Sequence, residues 1–295
     1  MIDQEIRKQG IGGSEVAAIL GLDEFSSPYK VWLYKTGRES SNVDNKYTRA
    51  GLILESAVAD YFEQETQYHV VKASAKQRTV IHPKFKFAVG TPDRRYVQNN
   101  HKGILECKTT QHSYDAVPDK WFIQLQWYLG VVGMPFGSVA WLERGLDFKY
   151  KEYEFDQDFF LYLIENVSKF WNDNVLKNVA PNPVNSADIE LMFARHREGA
   201  VMEATPEILS AYQELVTTRD AIKALESTET ELTELIKTVM RDNEIIQSSG
   251  KQLITWRSPK PSQVFDRDKF QTDHPDLYNQ YMTEKSGSRR FLVKN

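Results

Sequence analysis

The sequence predicts an α/β fold: a mixed central sheet flanked by helices, with a C-terminal helix plus β-hairpin extension. Three observations lead there. Stretches of helical and of strand periodicity alternate from residue 1 to about residue 178. A proline-bracketed polar stretch, Ala180-Pro181-Asn182-Pro183-Val184-Asn185, then breaks the composition. Beyond it, from about Pro206 to Met240, apolar residues such as Leu215, Ile222, Leu225, Leu232 and Val239 recur near heptad spacing. The expected organisation is a core over 1–178, a linker or wrapping segment over 179–205, and an extension over 206–295.

The elements follow in order. Ser14 reads as the N-cap of a short helix Glu15–Leu20 that Gly21 closes. Tyr29–Lys35 follows Pro28 as a second helix. Tyr47–Gln64 is longer, with Leu52, Val58, Ala59 and Phe62 as its apolar stripe. Strands are expected around Thr79–Ile81, Phe85–Val89, Arg94–Val97 and Ile104–Thr109, with the polar loop Gln98–Gly103 between the last two. A helix at Lys120–Val132, strands at Gly137–Leu142 and Phe148–Phe155, and a helix at Gln157–Asn178 complete the core. After the long helix, Glu244–Gln247 and Leu253–Arg257 flank Ser248-Ser249-Gly250-Lys251, a hairpin signal. The small, basic run Lys285–Phe291 reads as a surface strand end, with phosphate contact as the alternative.

Composition narrows the function. With 41% hydrophobic and 12% aromatic residues, 295 residues bury a substantial core. A formal charge of −4 excludes a globally basic protein, so any nucleic-acid contact uses local patches. One cysteine excludes intramolecular disulfides and Cys-based metal sites within a chain. The six histidines lack ligand spacing, which argues against zinc. No apolar run approaches ~18 residues, and the N-terminus has no signal-peptide character. The expectation is a soluble protein of a reducing compartment, with no membrane partner.

The chemistry concentrates at Asp93 and the triplet Glu106-Cys107-Lys108. A hairpin of this length sets the end of one strand beside the middle of the next. Glu106 and Lys108, two apart, leave the same face of their strand. Two carboxylates make a hard-oxygen site suited to Mg²⁺, with Mn²⁺ as substitute. A lysine beside them supplies a cation where water would attack, a pattern that points to phosphodiester hydrolysis. Glu55 sits near the apolar side of its helix and needs a partner, a metal or a salt bridge. Gln124 and Tyr128 share a helix face, and Gln126 points elsewhere on an ideal helix. Arg7 and Ser14, around Gly10-Ile11-Gly12-Gly13, put a guanidinium and a hydroxyl at a helix start, where phosphate is favoured.

Together these segments resemble one family, the YqaJ-type viral recombinase and bacteriophage lambda exonuclease family. Ile11-Gly12-Gly13-Ser14-Glu15-Val16-Ala17-Ala18-Ile19-Leu20-Gly21, Pro28 and Trp32…Lys35-Thr36-Gly37 look like its opening motif. Gly51-x-x-x-Glu55, Thr91-Pro92-Asp93, Glu106-x-Lys108 and Gln124-x-Gln126 follow in the family's order, over roughly residues 5–175. The chain departs at Thr91, where serine is frequent, and at Arg94, where Asp-Gly is frequent.

The resemblance implies a restriction-endonuclease-like, PD-(D/E)xK fold. It implies Mg²⁺ on Asp93 and Glu106, with the Cys107 carbonyl and Glu55 completing one or two metal sites. Lys108 would orient and help deprotonate the attacking water, with Gln126 or Gln124 assisting. Arg7 and Ser14 would hold a 5′-terminal phosphate. The implied activity is 5′→3′ exonuclease on double-stranded DNA ends, leaving 3′ tails for phage recombination in the bacterial cytoplasm. Implied partners are a single-strand annealing protein of the RecT or Bet kind and further copies of the chain, as a ring. Two other readings stay open, a RecB-like nuclease of another DNA-processing complex and a DNA-binding scaffold without cleavage.

Overall fold

The computed structural model describes residues 4–39, 46–71, 79–284 and 287–294. Of the basic run Lys285–Phe291, Lys285 and Ser286 lie outside the described residues, as do Met1–Asp3 at the N-terminus. The chain divides into two compact units, Met1–Met192 and Phe193–Asn295.

In the first unit, α1 (Gln4–Lys8), β1 (Ile11–Gly12), α2 (Gly13–Ile19), α3 (Pro28–Lys35) and α4 (Lys46–Thr66) precede the strands. Strands β2 (His69–Val71), β3 (Val80–Ile81), β4 (Ala88–Gly90), β5 (Arg94–Gln98) and β6 (His101–Thr110) follow. Then come α5 (Asp119–Val132), β7 (Phe136–Glu143), β8 (Asp147–Glu154), α6 (Gln157–Phe170) with a π-helical turn at Trp171–Leu176, and α7 (Ser186–Met192). The five-stranded sheet runs β2-β5-β6-β7-β8, antiparallel except for β6 and β7, whose parallel pairing α5 makes possible as the crossover. A small sheet, β1-β4-β3, pairs β1 parallel to β4. The expected mixed sheet flanked by helices is observed.

Side chains alternate across β6, and each set meets a different layer. Ile104 packs with Leu125, Leu129, Val139 and Trp141 on the α5 side. Leu105 and Cys107 pack with Val58, Phe62, Tyr96 and Ala140 on the α4 side. The hairpin that fixes this register turns tightly at Asn99-Asn100, with φ of 47° and 65°. A two-residue type I′ turn needs positive φ at both positions, and asparagine tolerates that region better than other side chains. The strands therefore reach Gln98 and His101, and the longer loop read from sequence is corrected.

The N-terminal helix also starts earlier than expected. α2 begins at Gly13 with Gly12 as N-cap, and Glu15 accepts the Gly12 N–H at 2.8 Å. Glu15 takes the capping role assigned to Ser14, because β1 pairs with β4 up to Gly12 and the helix follows at once. Downstream, the polar stretch after residue 179 wraps onto the first unit instead of leaving it. Asp188, fully buried, accepts the Ser27 hydroxyl at 2.6 Å and the Val184 N–H at 3.1 Å.

The second unit holds α8 (Pro206–Met240), the hairpin β9 (Ile245–Ser248) and β10 (Lys251–Thr255), and the short helices α9 (Arg267–Asp273) and α10 (Pro275–Gln280). Thr205 caps α8 and Pro206 opens it, as the helix-start rules anticipate. The expected C-terminal helix plus hairpin is observed.

Glu143, at the end of β7, anchors the segment that leaves β6. Its buried carboxylate accepts from Trp141 Nε1 at 2.9 Å, the Tyr114 N–H at 2.9 Å, Ser113 Oγ at 2.8 Å and Lys149 Nζ at 3.0 Å. The Trp141 and Tyr114 hydrogen bonds lead in lowering this carboxyl from 4.5 to about 2. A lowered folded value stabilises above the ordinary one and is lost as pH falls through the folded one. Glu143→Gln is expected to unfold at a lower temperature at pH 7, and its deficit against wild type should shrink between pH 4.5 and pH 2. Thermal scans of both proteins across that range check it, and a constant deficit would remove the ionic part of the account.

Candidate active site

The hairpin register brings the acids together. Arg94 pairs with Leu105, so Asp93, one residue ahead of β5, falls beside Glu106. The Asp93 N–H donates to Glu106 Oε1 at 3.3 Å, and the Cys107 N–H donates to Asp93 Oδ2 at 2.9 Å. Glu106 and Lys108 leave β6 on its α5 side, where Gln124 waits. Glu106 Oε2 accepts from Lys108 Nζ at 3.2 Å and from Gln124 Nε2 at 2.8 Å. Lys108 Nζ also donates to Gln124 Oε1 at 3.0 Å, which closes a ring of three hydrogen bonds. Gln124 Nε2 lies 3.5 Å from the Tyr128 hydroxyl one helical turn on.

Burial dominates the electrostatics. Glu106 has no solvent exposure, which pushes its carboxyl up from 4.5 to about 8; the Asp93 carboxylate pushes the same way and Lys108 pulls back. Burial alone would lower the Lys108 ammonium, but attraction to Glu106 and then Asp93 outweighs it and holds the value above the ordinary one. Lys108 is thus a charged donor here, suited to orienting a water or offsetting phosphate charge. The Cys107 thiol faces the α4 side, and burial raises it well above its usual range, so it is unreactive.

The other expected residues separate into three groups. Glu55, on α4, pairs with the Arg94 guanidinium, whose Nη1 also donates to the Asp93 carbonyl at 2.7 Å. Gln126 is not brought to the acids. Its Nε2 donates to the Glu154 carbonyl at 2.8 Å and its Oε1 accepts the Asp156 N–H at 2.9 Å, clamping the join of β8 and α6. Two residues from Gln124 on a helix, it faces another way, and its buried amide is used where it lies.

Arg7 and Ser14 flank the segment that packs on α5 through Gly13. Gly13 presses on α5 so closely that a Cβ there would lie 2.7 Å from Tyr128 Cε1 and 3.0 Å from Gln124 Cγ. Ser14 is exposed at the second position of that helix. Arg7, half-buried in α1, is close enough to lower the Tyr128 phenol against the larger upward push of burial. Its carbonyl accepts from Lys35 Nζ at 2.5 Å, and Lys35 pairs with Glu15 at 2.7 Å. The pairings of Lys35, Glu15 and Arg94 were not read from the sequence, although Glu15 and Lys35 lie in the opening motif. Their types gave no signal, although the departure from Asp-Gly at Arg94 marked the position.

The donor set fits a divalent cation with hard-oxygen preference. Among the described residues, no group of three or more His, Cys, Asp or Glu side chains is arranged to hold a metal ion. Asp93 and Glu106 offer two carboxylates, the number with which Mg²⁺ keeps several waters in its shell. A carboxylate raised by burial, and further by a neighbouring carboxylate, is an arrangement that a bound cation relieves.

Glu106 has a testable cost without metal. A carboxyl raised in the folded state stabilises fully below its unfolded value, and that contribution is lost as pH climbs through the folded one. In EDTA, Glu106→Gln should therefore gain on wild type as pH rises from 4.5 to about 8, by on the order of a few kcal/mol. Denaturant titrations across that range measure it; a pH-independent difference would overturn the raised value.

Comparison with known proteins agrees with the family resemblance. The YqaJ-like viral recombinase domain matches residues 4–135. The "Uncharacterized protein YqaJ" of Bacillus subtilis (strain 168) is 31% identical over 98% of this chain and 92% of its own length. Among solved structures, an alkaline exonuclease (LHK-Exo) from Laribacter hongkongensis is 15% identical with a TM-score of 0.48, over 60% of this chain and 94% of that one. A phage-related exonuclease from Haemophilus somnus 129PT is 13% identical with a TM-score of 0.42, over 59% and 99%. With a relative of this identity aligned along nearly its whole length and the family's domain matched at its N-terminal end, the chain belongs to the YqaJ-like viral recombinase family.

Proposed function

We propose that the protein is a metal-dependent 5′→3′ exonuclease acting on double-stranded DNA ends, which leaves 3′ single-stranded tails for recombination by strand annealing. The observation that carries this is the juxtaposition of Asp93 and Glu106 with Lys108 and Gln124 at one point of the sheet. Asp93, Glu106 and the Cys107 carbonyl would hold Mg²⁺, or Mn²⁺ in its place. When bound, that cation activates water and offsets the charge that develops on the phosphate oxygens.

The chain's own groups do the rest. Gln124 keeps both Glu106 and Lys108 in place through its amide. Lys108 keeps its proton at Nζ, orients the attacking water and faces the phosphate with positive charge. Arg7 and Ser14, beside the start of α2, are the candidate holders of the 5′-terminal phosphate. That end of the molecule adjoins Gln124 and Tyr128 through Gly13, which supports a terminal phosphate anchored near the scissile one. The family's description as recombinase supports a single-strand annealing protein of the RecT or Bet kind as partner. Ring assembly around DNA and action in the bacterial cytoplasm belong to the same reading. The described residues contain no helix long and apolar enough to cross a membrane.

The decisive assay uses linear duplex DNA labelled at one 5′ end, with and without a 5′ phosphate, in Mg²⁺ and in EDTA. Release of mononucleotides from phosphorylated 5′ ends in Mg²⁺ alone is expected. Lys108→Ala should lose on the order of a hundredfold or more in cleavage while still binding DNA. Arg7→Ala should lose the preference for phosphorylated ends. Binding without cleavage by the wild-type protein would shift the weight to a scaffold role.

The raised Glu106 carboxyl sets a pH dependence. At pH 7 the metal-free site holds a proton that the cation must displace, so binding releases protons and tightens as pH rises toward about 8. The Mg²⁺ concentration for half-maximal activity should fall between pH 6.5 and about 8 and level off above it. A flat profile across that range would contradict the protonated carboxyl.

A further inference from the structure

We propose that the second unit carries a binding surface for single-stranded DNA, formed where the tail of the chain meets residues 193–197. The inference goes beyond the exonuclease reading, because it concerns binding by Phe193–Asn295 and no step of cleavage. Its first ground is placement. Arg289 Nη1 donates to the Phe193 carbonyl at 3.1 Å, across 96 positions of sequence. The Tyr212 hydroxyl, on α8, donates to the Lys294 carbonyl at 2.7 Å. These two bonds hold the tail at Arg289 and at Lys294 and set it beside the segment that leads into α8. The bond to Phe193 uses one of the five N–H donors of Arg289 and leaves the others for a ligand.

The second ground is charge. Residues 193–197 and 287–294 hold five basic side chains, Arg195, Arg197, Arg289, Arg290 and Lys294, and no acidic one. Glu198 and Glu284 bound the two segments in sequence. The chain as a whole carries −4, so this cluster is a local departure and not part of a basic surface. All five side chains are exposed. Like charges gathered in this way favour an anion between them. Arginine binds phosphate oxygens two at a time, and a DNA strand presents phosphates in a row.

Exposed rings give the third ground, and they choose the form of the strand. Phe291 is 80% exposed and Phe193 51%, each inside one of the two basic segments. An apolar ring left in water costs free energy that stacking on a base recovers. In a duplex the faces of the bases are already stacked on their neighbours. An unpaired strand has them free. Rings set among arginines therefore suit single-stranded DNA, with phosphates on the cations and bases on the rings. The 3′ tail proposed above as product is a strand of this kind.

Fluorescence anisotropy on the full chain in EDTA tests this, with an oligothymidylate, which forms no duplex of its own, and with a blunt duplex. The readout is binding alone, so it stands or falls apart from the exonuclease reading. Arg195→Gln/Arg290→Gln should lose roughly tenfold in single-strand affinity, and its plot of log K against log salt should be shallower by about 1.4. Phe291→Ala should weaken the single strand roughly fivefold or more and leave the duplex unchanged. Arg219→Gln/Lys223→Gln, the same charge change further along α8, should bind as wild type does. Arg289 is kept in every variant because it holds the tail. Unchanged single-strand affinity in either the double-arginine or the Phe291 variant would overturn the proposal and leave the cluster to an acidic protein surface. Equal losses on single strand and duplex would overturn it too, as marks of backbone contact alone. So would an α8 control that loses as much, or a wild-type protein that does not bind the single strand.

Discussion

The register of the β5–β6 hairpin is the constraint on which the rest of the site depends. Because side chains alternate along a strand, a slip of one residue would send every group on β6 to the opposite layer. Glu106 and Lys108 would then lie against Val58 and Phe62, while Leu105 and Cys107 would meet Gln124. Three features hold the register. Asn99-Asn100 accepts the positive φ of a two-residue turn. Tyr96, on the α4 side, is fully buried and its hydroxyl meets Ser138 Oγ at 2.8 Å. Ile104 and Leu105 are both buried, but in different apolar clusters. Apolar packing on two layers thus positions polar groups that contribute little to stability themselves.

Those polar groups are costly where they stand. A fully buried glutamate beside an aspartate is raised toward protonation, against the pull of Lys108 and the Asp93 N–H. Such a cluster trades folding free energy for pre-organised charge, which is how perturbed groups come to mark functional sites. Glu143 shows the opposite solution in the same sheet. Also buried, it gathers four donors and is driven down to about 2, which makes it a fixed anion and an anchor. Two buried glutamates on neighbouring strands thus serve different ends. The donors each one gathers decide which is structural.

The sequence carried the parts of this that depend on spacing. Asp93 before a strand, Glu106 and Lys108 two apart, and Gln124 one turn from Tyr128 are periodicities, and folding preserved each of them. The sheet flanked by helices was legible for the same reason, through alternation of patterns along the chain. What depends on partners from distant segments was not legible. Helix geometry already turned Gln126 away from Gln124, but not toward its partners, the backbone of Glu154 and Asp156 some thirty residues on. Ser14 has the right type for a cap, but Glu15 sits where it can take the Gly12 N–H. β1 and β2 are two and three residues long and exist because a neighbour pairs with them. Residues 179–205 read as a linker or a wrapping segment, a choice left open because Asp188 and Ser27, 161 positions apart, gave no local sign of meeting.

Arg94 joins these threads. Its position follows from the hairpin register, its burial from α4, and its meaning from the residue it holds. An arginine after Asp93 is an ordinary strand opening in sequence, and a cation on Glu55 in space. Local charge, not the net −4 of the chain, decides how such a site meets a phosphate. Here the positive groups come from both layers, Lys108 from the α5 side and Arg94 from the α4 side, with Asp93 between them in contact with each strand. A site assembled this way draws part of its cationic character from the fold itself.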